Sequence, residues 1–362
     1  MNILYVSALE GGKYSGPLYS VPKQVQAQAK IDNVYWVNLT EISTVNRFDE
    51  NLYHYIPLKR FRLSGLPEPF NKPDLIVFEE FFKIECCKVG RDAVKNKIPY
   101  IIIPRCQMTG KYLQNKKLKK MLASIIMFSD FAKKALSVQF LTPQEQVDSV
   151  EYFKGNYFII PNGIDIPEQT VSFRNKTDYT GTFIGRYSIW QKGLDLLIKA
   201  IEKEKKVLEE HHLIFELYGP DERTGSSQDI IELVKENKVE HLVHVNGPVF
   251  DDEKKKKLLD SDFFIHTSRF EGMPMSVLEA LSYGLPCVVT QGSNLKEDVE
   301  LYNAGWGASD TVEDIANVLK NVAKNLDLLQ VKGTYAVELA KKYSWGSIAK
   351  ESHEYFMNAL KK

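Results

Sequence analysis

The chain has 362 residues, 44% hydrophobic and 26% charged, an ordinary globular balance with enough length for two domains. Lys+Arg and Asp+Glu are equal at 47 each, so nothing global points to nucleic acid, and a charged partner has to be argued from local clusters. The amino terminus lacks a signal peptide's basic lead and apolar core, and no apolar run reaches the roughly 18–20 residues that span a bilayer. Cys86, Cys87, Cys106 and Cys287 show neither metal nor disulfide spacing. The expectation is a cytoplasmic, reduced protein.

Apolar runs of strand length alternate with helical patterns, the signature of parallel α/β layers. The first half offers strands at Ile3–Ser7, Val34–Asn38, Leu75–Phe78, Tyr100–Ile103, Ser137–Leu141 and Phe158–Ile160. Its helices are placed near Leu18–Ala29, Glu80–Lys95, Lys116–Met127 and Pro143–Phe153. A polar stretch, Asp165 to Asp178, leads to the second half. Strands there are Tyr179–Ile184, Leu213–Leu217, Leu242–Val245, Phe263–Ile265 and Cys287–Val289, with helices at Leu194–Lys203, Gln228–Lys235, Asp251–Leu259, Met275–Tyr283 and Thr311–Lys324. Each half reads as a Rossmann-like doubly wound sheet, residues 1–165 and 166–344. Such sheets bind ligands beyond the carboxyl ends of their strands, so the two domains are expected to face each other across a cleft.

The densest chemistry lies in His266-Thr-Ser-Arg-Phe-Glu271-Gly-Met-Pro-Met-Ser-Val-Leu-Glu279. Pro274 suits the first turn of a helix. The backbone N–H groups of Gly272, Met273 and Met275 would then stand at a positive dipole end, a place for phosphate. Glu271 and Glu279 would lie roughly 8–12 Å apart at the helical rise, a span that brackets a nucleotide-sugar. Upstream, Arg186 and Lys192 follow the apolar run Thr182–Gly185. Two cations there would act where a leaving diphosphate gains charge; read alone, Lys192-Gly193 simply introduces a helix.

Gly219, in Tyr218-Gly219-Pro220, and Pro248 and Val249, in Gly247-Pro248-Val249, end strands that could sandwich a flat base; they are also plain turn chemistry. Asp260-Ser-Asp262 joins a helix to a buried strand and reads as turn chemistry, so no metal or other cofactor is expected. His266 either shapes a sugar pocket or is a satisfied core histidine. Gly12 and Gly16, in the glycine-rich turn after the first strand, would let a ligand approach backbone. Lys111 and Lys116 to Lys120 flank Leu118, Met121 and Leu122: a solvated face, or a peripheral contact with the inner face of a membrane.

The E-x7-E pair resembles the retaining glycosyltransferases of family 4, which have the GT-B fold. The resemblance covers nearly the whole chain. It is carried also by Phe183-Ile-Gly-Arg186 to Lys192-Gly, Leu217-Tyr-Gly-Pro-Asp221, Val245-Asn-Gly-Pro-Val249 and Ile160-Pro-Asn-Gly-Ile-Asp165, in the family's order. It implies Glu279 on the ribose and Glu271 at the sugar, with Arg186 and Lys192 on the diphosphate of a UDP-sugar favoured as donor. It implies that Gly12, Gly16, Arg105 and Thr109 border the sugar and a glycan or lipid-linked acceptor. Arg105 fits an arginine version of the family's Pro-His-Gly, whereas Cys106 departs from the usual glycine. No general base is evident, in keeping with retention in which the leaving phosphate takes the acceptor proton. The last helix, Trp345 to about Leu360, would fold back on the first domain. Bacterial cell-surface polysaccharide assembly is the implied setting. A nucleotide-sugar 2-epimerase and a non-catalytic sugar-nucleotide binding protein share the fold and are the alternatives.

Overall fold

The computed structural model describes residues 1–10, 16–42, 48–105, 107–108, 121–149, 155–173 and 177–361. They form two compact units, Met1–Gly163 with Trp345–Lys362, and Ile164–Ser344.

The first unit holds a seven-stranded parallel sheet. Its strands are β1 (Asn2–Ser7), β2 (Asn33–Asn38), β3 (Tyr53–Tyr55), β4 (Leu75–Glu79), β5 (Tyr100–Ile103), β6 (Ser137–Phe140) and β7 (Tyr157–Ile159), in the order β3-β2-β1-β4-β5-β6-β7. The strands read as continuous apolar runs because both faces are covered: β4 and β5 are buried throughout. The covering helices are α1 (Gly16–Gln28), α2 (Ile84–Lys95), α3 (Met121–Lys133) and α4 (Pro143–Ser149). β1 pairs with both β2 and β4, so strand order reverses there.

The second unit repeats the plan with six parallel strands, ordered β10-β9-β8-β11-β12-β13. They are β8 (Tyr179–Ile184), β9 (Leu213–Tyr218), β10 (Val243–Asn246), β11 (Phe263–His266), β12 (Cys287–Thr290) and β13 (Gly305–Ala308). The helices are α5 (Leu194–Lys203), α6 (Lys205–Glu210), α7 (Ser226–Glu236), α8 (Asp251–Asp260), α9 (Met275–Ser282), α10 (Lys296–Leu301), α11 (Val312–Lys324) and α12 (Leu329–Lys342). The core centres on Phe183, Phe215, Phe263 and Ile265 between the apolar faces of α5 and α11. Here order reverses between β8 and β11, which pair at Phe263↔Gly181 and Phe264↔Thr182.

Helix α13 (Trp345–Leu360) belongs to the first unit. Trp345 closes against Gly163, where an added Cβ would come within 2.4 Å of the indole. Tyr355 stacks on Phe158 at 3.6 Å, and His353 reaches the Asp32 carboxylate at 2.9 Å. Burial alone raises the Asp32 carboxyl; bonds from His353, the terminal amine and Gln28 bring it below its ordinary value.

Some boundaries differ from those the pattern predicts. Helix α2 begins at Ile84 rather than Glu80, because Glu80 takes φ 76° and Phe81–Lys83 turn first. Helix α3 runs to Lys133, past Met127. The short strand β3, the glycine-bearing β13 and helices α6, α10 and α12 were not anticipated. No described helix is long and apolar enough to cross a membrane.

Candidate active site

The loops after β8 and β11 leave neighbouring strands at the point where strand order reverses, the place where open α/β sheets take ligands. Gly193 ties them together. It sits at φ 61°, and a Cβ there would lie 2.0 Å from the Thr267 carbonyl. Thr267 Oγ1 lies 3.1 Å from the carbonyls of both Lys192 and Gly193 and shares its one proton between them. Arg269 adds a bidentate pair with Asp195 on α5, both bonds 2.7 Å, and donates to the Trp190 carbonyl at 2.6 Å. The backbone beside Lys192 is thus fixed before any ligand arrives.

That fixation brings Lys192 Nζ to 2.5 Å from Glu271 Oε1, with both side chains nearly buried. The same oxygen accepts from Ser268 Oγ at 2.8 Å. His266, wholly buried at the end of β11, places Nε2 2.9 Å from Ser268 Oγ and 3.3 Å from Glu271 Oε1. Burial pushes the His266 pKa down, so the ring is neutral. Its Nδ1 has no partner among the described residues, which assigns the proton to Nε2. The chain then runs from His266 N–H to Ser268 O–H to the carboxylate. Burial alone would raise the Glu271 pKa; the Lys192 ammonium and the donated hydrogen bonds override it and hold the group well below the ordinary carboxylate range. Because the histidine is neutral, the charge that does this is that of Lys192. Glu271 is therefore a permanent acceptor, suited to hydroxyl groups.

Asn294, at φ 60°, donates to the Glu271 and Gly272 carbonyls at 2.7 and 2.9 Å and holds the turn ahead of α9. Pro274 is the residue before that helix, which starts at Met275. Among the described residues none accepts from the backbone N–H groups of Gly272, Met273 or Met275. Glu279, on α9, is partly exposed and paired with Lys254 of α8. Lys257, on the same helix, lies 5.0 Å from the centre of the Tyr218 ring. Both lysines face inward from α8.

Arg186 is half exposed; its polar partners are Glu222 at 3.6 Å and Gln191 at 3.4 Å, so it flanks the Lys192–Glu271 pair without joining it. Gly219 packs on the start of that loop: a Cβ would lie 1.9 Å from the Gly185 carbonyl. Tyr187 locks the loop from beneath: its hydroxyl lies 2.7 and 2.6 Å from the carbonyls of Leu217 and Asn246 and shares its one proton between them. Beyond β10, Val249 is buried and Pro248 exposed. Asp262 accepts from the Thr180 N–H at 2.8 Å, a bond that seats β11 against β8. No group of three metal-binding side chains occurs among the described residues.

In the first unit, Arg105 has φ 50° and is almost fully buried. It donates through Nε to Glu79 at 2.7 Å, through Nη1 to Ser20 and Asn162 at 2.9 Å each, and through Nη2 to Gln24 at 2.7 Å. All its nitrogens are occupied inside the unit, so the structure gives Arg105 a role in holding α1 against β4. Burial raises the neighbouring Glu80 to about 7 even with Lys83 nearby. Gly16 opens α1 with free space where a Cβ would be. Gly12, Cys106, Thr109 and Lys111–Lys120 lie outside the described residues. Ser268, Thr267, Arg269 and Asn294 were missed in the sequence. The first three sit inside the motif that located the site, but only the fold shows what they hold.

Two parallel doubly wound units with a cation–carboxylate pair at the second unit's reversal point define the class: the fold is that of the GT-B glycosyltransferases. A family model described as glycosyl transferases group 1 matches residues 178–325, within the second unit. Over 247 residues the chain is 27% identical to an uncharacterized glycosyltransferase of Methanocaldococcus jannaschii, covering 65% of this chain and 60% of that protein. Over 190 residues it is 27% identical to the poly(ribitol-phosphate) alpha-N-acetylglucosaminyltransferase of Staphylococcus aureus, covering 51% of this chain and 34% of that protein. The matches thus span less than two thirds of these relatives' lengths. Among solved structures, Anabaena HepE in complex with UDP and glucose superposes with a TM-score of 0.72 at 15% identity, over 99% of this chain and 100% of that one.

Proposed function

We propose that this chain is a retaining, metal-independent glycosyltransferase that moves a sugar from a nucleotide-diphosphate sugar, a UDP-sugar by preference, to an acceptor hydroxyl. The observation that carries the reading is the Lys192–Glu271 pair beside the unengaged N–H groups of Gly272, Met273 and Met275. The diphosphate would lie on those N–H groups and on Lys192, with Arg186 closing from the rim. Its charge grows as the anomeric C–O bond breaks, and preplaced donors stabilise that change without reorganising. Glu271, ionised at every ordinary pH, would accept from sugar hydroxyls and support positive charge on the ring. It is a poor proton donor, so the acceptor proton passes to the departing phosphate oxygen on the same face, which gives retention. Glu279 would take the ribose hydroxyls, with Lys254 beside its carboxylate.

HepE was solved with UDP and glucose, and the Staphylococcus aureus relative acts on poly(ribitol-phosphate); both support a UDP-sugar donor and a glycan or polyol-phosphate acceptor. Bacterial cell-surface polysaccharide assembly, at the cytoplasmic side of the membrane, is the setting we infer. The reading is tested by incubating the protein with a panel of nucleotide-sugars and following release of the nucleoside diphosphate. Release from UDP-sugars that survives EDTA supports it; inertness toward every donor, with no thermal stabilisation by any nucleotide, would refute it.

A further inference from the structure

Helix α2 presents Lys88, Arg91 and Lys95 along one outward face, and the turn that follows Pro57 sets Lys59 and Arg62 opposite them. Between the two lies an open cavity of about 390 Å³. In a chain with no net charge, five cations meet there with one carboxylate, Asp92, which is 3.9 Å from Lys95. Among the described residues no carboxylate lies within ion-pair distance of Lys59, Arg62, Lys88 or Arg91. Like charges gathered at a concave wall focus a positive potential, and among the lining residues only Asp92 opposes it.

The shape says what kind of anion fits. Lys88 and Lys95 are two helical turns apart, about 10.5 Å along the axis, more than one phosphate group spans. The cationic row therefore matches repeated charge better than a single phosphate. The floor includes Phe61 and Val89, both buried and apolar, so it can take the carbon of a polyol or sugar. No lining side chain is an exposed aromatic that could stack a base, which disfavours single-stranded nucleic acid. A concave groove also suits a chain better than a flat bilayer.

We infer that this groove on the first unit binds a linear phosphodiester chain with a sugar or polyol backbone, its phosphates running along Lys88, Arg91 and Lys95. Binding itself is independent of the proposed transfer reaction; only service as the acceptor's docking site rests on that reading.

The test is fluorescence anisotropy of the full chain with a labelled glycerol-phosphodiester hexamer, for the wild type and for a Lys88→Glu, Arg91→Glu double variant. Both positions are exposed and outside the donor machinery, so UDP affinity should be equal in the two proteins. The double variant should bind the hexamer at least tenfold more weakly. Its slope of log K against log salt should fall by about 1.4, at about 0.7 per lost contact on a single strand. Equal hexamer affinity in both proteins overturns the proposal. So does equal affinity for a single-stranded oligonucleotide of the same charge, and so does Lys88-dependent binding to phosphatidylglycerol vesicles without hexamer binding. Failure of the wild type to bind UDP, with hexamer binding intact, would sink the transfer reading and leave the groove standing.

Discussion

Lys192 Nζ stands 2.5 Å from Glu271 Oε1, and the two side chains come from loops that follow adjacent parallel strands. Everything around them fixes that approach: Thr267 holds the lysine's carbonyl, Asn294 holds the glutamate's, and Ser268 shares the carboxylate oxygen. Replacing Lys192 by Ala removes the charge that would meet the diphosphate and leaves Glu271 buried without its counter-ion. Steady-state kinetics should show kcat/KM lower by ~2–4 kcal/mol, the scale of one lost oxyanion donor. Arg186→Ala, at a half-exposed position, should cost less; a larger loss at Arg186 would show that the rim cation carries the main charge.

Gly193→Ala tests the latch. A Cβ at φ 61° and 2.0 Å from the Thr267 carbonyl forces one of the two loops to move. Strain of this kind costs about 1–3 kcal/mol. Denaturant melts should show that loss, and the displaced Lys192 should lower turnover further than stability alone explains. Unchanged melting and kinetics would mean the loops are not coupled here.

The parallel sheets and most helices were legible because strands buried on both faces are apolar throughout, as in Leu75–Glu79 and Tyr100–Ile103; the strand order that sets the reversal points was not. The unforeseen strand β13, Gly-Trp-Gly-Ala, has no such signal. It exists because its backbone packs directly on β12, where a Cβ on Gly305 would meet the Cys287 carbonyl at 2.0 Å. At the site, the motif located Glu271 and Lys192 but not their direct bond, since residues 79 apart in sequence meet only through the crossover. Arg105 was legible as a basic residue at a strand end. Its inward course depends on Glu79, Ser20, Gln24 and Asn162, which no local pattern brings together.

Arg105→Ala should accordingly act on stability. It strands the fully buried Glu79 carboxylate, an unpairing that costs about 3–5 kcal/mol. Chemical denaturation is the measurement. UDP affinity of the folded fraction should stay near wild type, because this network lies within the first unit; a stable variant that loses donor use would return Arg105 to the sugar.

His266 and Glu271 both titrate below their ordinary values in the fold, so the unfolded chain binds more protons than the native one on the acid side. Their stabilising contributions are complete above the unfolded values. The His266 part is lost as pH falls below about 6.5, and the Glu271 part only in more acid solution, below about 4.3. The melting temperature of the wild type should therefore drop more steeply between pH 6.5 and 5 than that of His266→Gln, once both are referred to pH 8. Parallel curves would place a charged imidazole in the native site.

In the proposed function UDP would sit on the second unit, with Lys192 and the start of α9 on its phosphates, Glu279 on its ribose and Glu271 at the sugar. Isothermal titration calorimetry with UDP against wild type, Lys192→Ala, Glu279→Ala and Glu271→Ala tests it most directly. Binding should weaken by roughly thirtyfold in Lys192→Ala, equivalent to about 2 kcal/mol. It should weaken clearly in Glu279→Ala and remain near wild type in Glu271→Ala, whose defect appears only in sugar transfer. Wild-type UDP affinity in both Lys192→Ala and Glu279→Ala, or its abolition in Glu271→Ala alone, would contradict the account.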